Sequence, residues 1–80
     1  MYYAYVLRSL DKKNFYKGHC EDLDRRLKEH NQGRTTSTAR YAPWEVVYFE
    51  TFETRDEAIK REKFFKTASG RRYLKSQITQ

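Results

Sequence analysis

Cysteine, proline and glycine are scarce in this chain, which contains one, one and three of them among its 80 residues. The single Cys20 cannot form an internal disulfide, so the fold does not depend on an oxidising compartment. So little proline and glycine argues against a collagenous or disordered chain. The stretch from Met1 to Arg8 lacks a basic leader and a small-residue cleavage site, and no apolar run approaches membrane-spanning length. We therefore expect a cytoplasmic protein with no membrane partner.

Motifs for common cofactors are also missing. His19 and His30 have no zinc-like spacing with Cys20, which argues against a structural zinc site. No glycine-rich segment matches a phosphate-cradling loop of the P-loop or dinucleotide type. Cys20 has no neighbouring base that would make it a nucleophile.

Acidic residues are outnumbered, because 11 Asp and Glu stand against 17 Lys and Arg, giving a net charge of +6 and a pI near 9.6. A basic surface attracts polyanions, of which nucleic acid is the first candidate and an anionic membrane the second. Membrane binding would require a basic amphipathic helix with an uninterrupted apolar face, and the sequence has no convincing one. The remaining alternative is a charge excess that only keeps the protein in solution.

The length permits one hydrophobic core, so we expect a single domain over residues 1–80. A chain of this size buries only roughly 60–65% of its unfolded surface. Seven Tyr, five Phe and one Trp supply a large buried area per residue, which helps a short chain to complete a core.

Two N-terminal segments predict a β-hairpin. Residues 2–9 are apolar on both sides, as in an interior strand, and residues 15–20 form a second strand after a polar turn. In the register set by this short turn, Tyr5 pairs with Gly18, and Tyr16 lies diagonal to Tyr5 at roughly 7–8 Å. Two phenols then lie beside a glycine, where a ligand can approach the backbone closely.

The next segment, residues 22–32, predicts a helix. Leu27 and His30 fall on its apolar stripe. Arg26 borders that stripe and is held against neighbouring groups, whereas Arg25 points to solvent.

The second half of the chain predicts a loop, a strand and two helices. Residues 34–42 are interpreted as a loop, and residues 44–52 carry the strongest strand signal. Thr54 opens a capping box, so a helix is expected from there to about Ala68. A last short helix follows a break at Gly70.

Two charged residues lie where charge is costly. Glu62 shares the apolar face of its helix with Phe65, and a carboxylate in such a place is paired or binds a cation. It is either an ion-pair partner of a nearby arginine or lysine, or a metal ligand or general acid–base. Arg26 is either paired with a carboxylate such as Glu62 or positioned to bind a phosphate.

The two tyrosines of the hairpin also have two interpretations. Tyr5 and Tyr16 are either aromatic residues of the core or its rim, or catalytic residues.

Four short motifs occur in an order and spacing that resemble one known family: Ala4-Tyr5-Val6, Tyr16-Lys17-Gly18, the run from Asp22 to His30, and the run from Ala58 to Lys63. The chain is similar to the GIY-YIG nuclease domain, especially its small stand-alone bacterial members, the UPF0213 (YhbQ-like) group. The resemblance extends from Tyr3 to about Lys75. It implies an α+β fold with a three-stranded, mainly antiparallel sheet flanked by helices.

The resemblance also implies metal-dependent cleavage of a phosphodiester bond with one divalent ion, Mg²⁺ or Mn²⁺. It assigns catalysis to Tyr5, Tyr16, Arg26 and Glu62, and metal binding to Glu62. The predicted substrate-binding residues are Gly18, His19, His30 and the basic Lys66.

These roles agree with the chemistry of the residue types. A cation held by one carboxylate keeps sites for water and substrate oxygens. Arg26 would stabilise the charge of the phosphorane-like transition state. Tyr5, together with Tyr16, would position or deprotonate the attacking water. A free phenol has a pKa of about 10, so it needs a neighbouring cation to act as a base.

The chain departs from the family pattern at several positions. Ala4 replaces the glycine of the first motif, and Lys17 replaces the middle apolar residue of the second. His19 stands where some members carry lysine. The asparagine that follows the glutamate in several larger relatives has no clear counterpart.

Three functions follow from these observations. The first is an endonuclease that acts on nucleic acid, with DNA ahead of RNA, in DNA repair or recombination. The alternative is a nucleic-acid-binding module that does not cleave, or that cleaves only in a larger assembly. The third is an interaction protein whose charge is only solubilising. A monomer is the default oligomeric state.

Overall fold

The computed structural model describes residues 1–78, which form a three-stranded sheet with helices on both faces. The elements in chain order are β1 (Tyr2–Ser9), β2 (Phe15–Cys20), α1 (Leu23–Asn31), α2 (Thr36–Ala39), β3 (Trp44–Phe52), α3 (Arg55–Phe65) and α4 (Ala68–Ile78). The strand order is β2-β1-β3 with both pairings antiparallel, so β1 is central and β2 is an edge strand. The expected α+β class is confirmed. No helix in residues 1–78 has the length and apolarity to cross a bilayer.

The hairpin register is the one that the sequence predicts. Tyr5 pairs with Gly18, and the turn closes through a hydrogen bond from Ser9 N to Asn14 O of 3.0 Å. The rings of Tyr5 and Tyr16 lie diagonally, with centroids 6.3 Å apart. The spacing of the two phenols therefore follows from strand geometry alone.

Because side chains alternate along β1, the strand separates two hydrophobic cores. Ala4 and Val6 pack with Phe65 and Leu74 from α3 and α4. On the other face the core contains Tyr5, Leu7, Cys20 and Trp44, with Leu23 and Leu27 of α1 packed against it.

Side-chain caps set the starts of the two helices that carry the candidate charged residues. The Asp22 carboxylate accepts a hydrogen bond from Arg25 N at the start of α1. At α3 the predicted capping box is present, because the Thr54 hydroxyl accepts from Glu57 N and the Glu57 carboxylate accepts from Thr54 N.

Two boundary predictions are wrong. The segment read as a loop over residues 34–42 contains the short helix α2, and α3 ends at Phe65 rather than near Ala68. The chain restarts at once as α4, because the Thr67 hydroxyl accepts a hydrogen bond from Gly70 N. Gly70 is thus inside a helix and does not break one.

Gly70 is required by close packing between α3 and α4. A Cβ at Gly70 would lie 1.8 Å from the carbonyl oxygen of Phe64. The glycine therefore allows the two helices to approach at their junction.

A polar network ties α3 and α4 to β3. Arg61 donates to both oxygens of Glu50, at 2.8 and 3.2 Å, while Tyr48 and Tyr73 donate to the same carboxylate. The guanidinium also lies over the ring of Phe64 at 4.6 Å. Arg61 therefore holds the fold together through Glu50 and Phe64.

We expect Gly70→Ala to destabilise the protein by about 1–3 kcal/mol, because the added methyl group forces the α3–α4 junction apart. Ser69→Ala, on the exposed side of the same helix, is the control and should stay within about 0.5 kcal/mol of the wild type. Urea unfolding measures both, and equal midpoints for the two variants would contradict the packing role of Gly70.

Candidate active site at the edge of the sheet

The candidate site residues form two groups on opposite faces of the edge strand β2. We name the first the phenol cluster, which consists of Tyr5, Tyr16, Arg26 and His30. We name the second the carboxylate cluster, which consists of His19, Glu62 and Lys66. The clusters meet at Gly18 and His19, consecutive residues whose side-chain positions point to opposite faces.

Within the phenol cluster, Tyr5 lies under the backbone of β2. Its hydroxyl oxygen is 3.1 Å from His30 Nε2. A Cβ at Gly18 would lie 2.6 Å from the same oxygen, so only glycine leaves room for the phenol. The Tyr16 ring covers His30, with centroids 4.9 Å apart.

The hydrogen bond from Thr38 to Thr35 favours one tautomer of His30. The Thr38 hydroxyl donates to Thr35 O at 3.2 Å, so toward His30 Nδ1, at 2.7 Å, it acts as an acceptor. In the tautomer that follows from this bond, Nδ1 carries the proton and Nε2 accepts from the Tyr5 hydroxyl. The result is a directed chain from Tyr5 through His30 to Thr38.

Burial keeps both ends of the Tyr5–His30 hydrogen bond neutral. Tyr5 is 1% exposed and His30 is 0% exposed. Desolvation lowers the pKa of His30 and raises the pKa of Tyr5, even though the neighbouring Arg26 guanidinium favours the phenolate. The His30 side chain has no exposed surface in this structure, and its predicted contact with substrate stays a prediction. The side chain contacts the Tyr5 phenol.

Arg26 connects the buried phenol to the surface. Interaction with Tyr5 raises the pKa of the guanidinium, and one of its nitrogens donates to Glu29 at 3.1 Å. Its side chain is 35% exposed, whereas Arg25 points to solvent as expected. Within residues 1–78 the ion pair of Arg26 is with Glu29, so the alternative pairing with Glu62 is wrong.

In the carboxylate cluster, Glu62 is 16% exposed and both of its oxygens are engaged. Oε1 lies 2.6 Å from His19 Nδ1, and Oε2 lies 2.6 Å from Lys66 Nζ. Burial alone would raise the pKa of Glu62, but the hydrogen bonds from Lys66 and His19 outweigh it and lower the pKa. Glu62 is therefore ionised near neutral pH. A bound cation could balance the charge of this half-buried carboxylate, as Lys66 does in this structure.

The donor set fits only a metal that keeps most of its own water. Among residues 1–78 no group of three or more His, Cys, Asp or Glu side chains could hold an ion. One carboxylate with water and phosphate oxygens matches Mg²⁺, which is commonly bound through one or two carboxylates. The arrangement does not match a structural zinc site.

Some residues of the site could not be found from the sequence. Thr38 favours one tautomer of His30, but it lies in a segment that reads as a loop. Asn31 binds both backbone groups of Trp44 and so joins α1 to β3. Burial raises the pKa of the Cys20 thiol to about 11, which disfavours the thiolate.

Comparison with known proteins shows the family to which the chain belongs. The chain belongs to the GIY-YIG family, whose catalytic-domain model matches residues 1–75. Among its relatives are UPF0213 proteins. One from Listeria welshimeri is 44% identical over 69 residues, which cover 85% of this chain and 76% of the relative. Another from Staphylococcus saprophyticus is 35% identical over 75 residues, which cover 92% and 90%.

A solved structure shows the same fold. The solution NMR structure of a UPF0213 protein from Bacillus halodurans is 30% identical and superimposes with a TM-score of 0.54, covering 95% of this chain and 84% of that one. The resemblance found in the sequence is thus confirmed. Membership in a family of nuclease domains indicates nucleic acid as the partner.

The buried His30 predicts a specific pH dependence of stability. An unfolded histidine has a pKa of about 6.5, and that of His30 is lower when folded. As the pH falls below about 6.5, the unfolded chain binds a proton that the folded chain does not, so stability decreases until the folded pKa is reached. The Glu62 contribution is lost only at lower pH, below the ordinary carboxyl pKa.

His30→Gln should be less stable at pH 8 but should lose less stability between pH 8 and pH 5.5 than the wild type. Urea titrations at both pH values test this. Because the wild type and the variant both contain His19, the difference between them reports on His30. The same loss in the variant and the wild type would show that His30 is not the group responsible.

Proposed function

We propose that this protein is a metal-dependent endonuclease that hydrolyses phosphodiester bonds, in DNA ahead of RNA, in repair or recombination. The observation that carries the proposal is the buried hydrogen bond of 3.1 Å between the Tyr5 hydroxyl and His30 Nε2. His30 is a possible proton acceptor for the Tyr5 phenol, and the partly exposed guanidinium of Arg26 lies beside the same phenol. Buried titratable groups with shifted pKa values cluster at functional sites.

The two residues can move a proton without a free phenolate. Tyr5 would accept a proton from the attacking water at its hydroxyl oxygen while it passes its own proton to His30 Nε2. The raised pKa of Tyr5 is then no obstacle, because the phenol stays neutral before and after the transfer. Thr38 holds the imidazole in the orientation that this transfer requires.

The remaining residues of the clusters would position the phosphate. Arg26 would donate two hydrogen bonds to its oxygens and stabilise the charge that develops on them. Tyr16 would cover the reacting water, and Gly18 would keep the Tyr5 phenol against the backbone of β2, because any Cβ at that position would collide with it.

Glu62, with His19 beside it, would hold the divalent ion. When bound, Mg²⁺ or Mn²⁺ would polarise the phosphoryl oxygen and neutralise the leaving group. Glu62 must then exchange its contacts with His19 and Lys66 for contacts with the ion. Lys66 would be released to bind a neighbouring phosphate of the substrate.

One observation favours a second function, a module that binds nucleic acid without cutting it. Glu62 is the only carboxylate in the carboxylate cluster, and both of its oxygens already have partners there. A closed ion-pair network needs no metal to be stable. This form of the protein would keep the basic surface and its salt-dependent affinity for phosphates.

Glu62→Gln separates the two functions. The substitution removes the charge that holds the metal, so we expect cleavage of branched or nicked DNA in Mg²⁺ or Mn²⁺ to become undetectable while affinity stays within about threefold. Glu53→Gln, at an exposed position just before α3, should cleave as the wild type does. Wild type that binds these substrates but never cuts them, with EDTA as the blank, would favour the binding module.

Tyr5→Phe tests the proton transfer. Loss of the hydroxyl should lower the cleavage rate by about 10²–10⁴-fold with unchanged affinity, since general acid–base catalysis contributes about that much. The control is Tyr3→Phe, which removes a hydroxyl from the same face of β1. Single-turnover rates measure both variants. A Tyr5→Phe rate near that of Tyr3→Phe would remove Tyr5 from the chemistry.

A further inference from the structure

A cavity of about 300 Å³ lies on the α4 side of β2, outside both clusters. Val6, Leu74 and Ile78 form apolar walls, and Phe15, Lys17 and Arg71 also line it. Phe15 is 47% exposed, so a large aromatic ring is left open to solvent at its edge. The volume is at the lower end of the range for ligand pockets, which begin near about 300 Å³.

Positive charge concentrates at this cavity. Burial, followed by repulsion from Arg71 and Lys66, lowers the pKa of Lys17. Neither Lys17 nor Arg71 forms an ion pair within residues 1–78. Like charges around an apolar cavity are costly for the free protein, and an anion that bridges them would relieve the repulsion.

The cavity and the carboxylate cluster are linked by neighbouring residues of β2. Lys17 directly precedes Gly18 in β2, and it lies on the face of the sheet that carries His19 and Glu62. Lys66 contributes to the field at Lys17 and is itself bonded to Glu62. A polyanion bound at the carboxylate cluster would therefore also lie close to the positive charges of Lys17 and Arg71.

We propose that this cavity receives an unpaired nucleobase of the substrate, with the flanking phosphates on Lys17 and Arg71. The base would enter between the apolar walls and stack on Phe15, as bases do on exposed aromatics in single-strand binding proteins. A paired base inside a duplex cannot enter, so the preferred substrate is single-stranded or branched beside the cut. This inference rests on the proposed function for its partner.

The experiment measures binding in EDTA, where no hydrolysis occurs. Fluorescence anisotropy would compare a single-stranded oligodeoxynucleotide with one of the same length whose central residues are abasic, and with a blunt duplex. The wild type should bind the intact single strand at least about fivefold more tightly than the abasic strand, because stacking of one base contributes that much.

Phe15→Ala should reduce that base-dependent ratio to near one. Phe49→Ala is the matched control, since Phe49 is 49% exposed but lies on β3, away from the cavity. Arg71→Gln should weaken binding to both strands equally and reduce the salt dependence by about one phosphate contact. Thermal unfolding would verify that each variant is folded.

A wild-type ratio near one, or a ratio that Phe15→Ala leaves unchanged, would overturn the base pocket and leave the nuclease proposal standing if cleavage is observed. A protein that keeps the base preference but never cuts would support the pocket and contradict only the nuclease proposal. Absence of binding to all three oligonucleotides would overturn both.

Discussion

The phenol of Tyr5 lies against the backbone of Gly18, and the arrangement of both clusters depends on this contact. A Cβ at Gly18 would come within 2.6 Å of the phenol oxygen, so any other residue would push Tyr5 away from His30. Since side chains alternate along a strand, the next residue, His19, points to the opposite face and meets Glu62. One glycine in an edge strand thus allows a buried phenol and a carboxylate cluster to lie at neighbouring positions of the strand, on opposite faces.

The parts of the fold that short-range rules govern could be predicted from the sequence. The Tyr5–Gly18 register follows from the short turn, and the start of α3 follows from the capping box at Thr54. The end of α3 could not be predicted in this way. Glycine commonly ends helices, so Gly70 is expected from the sequence to break one. Its role instead comes from a tertiary contact, because its lack of a side chain lets α4 pack against the carbonyl of Phe64 in α3.

For the site, the sequence identified candidate residues but not their partners. Period-3.6 patterning placed Glu62 on an apolar face, and its partners proved to be His19, from a distant strand, and Lys66. The burial of His30 and its bond to Thr38 depend on where α2 packs, which no local pattern encodes. The family resemblance supplied roles, and those roles stay predictions. The geometry adds the hydrogen bond between Tyr5 and the buried His30.

The central proposal is that the carboxylate cluster holds a divalent ion next to Gly18 of β2. Paramagnetic broadening by Mn²⁺ in the ¹⁵N NMR spectrum tests it most directly. We expect the amide signals of Gly18, His19 and Glu62 to broaden first, and Glu62→Gln to abolish the effect. Broadening that begins instead at the acidic residues Glu21 and Asp24, or that persists unchanged in Glu62→Gln, would contradict the claim.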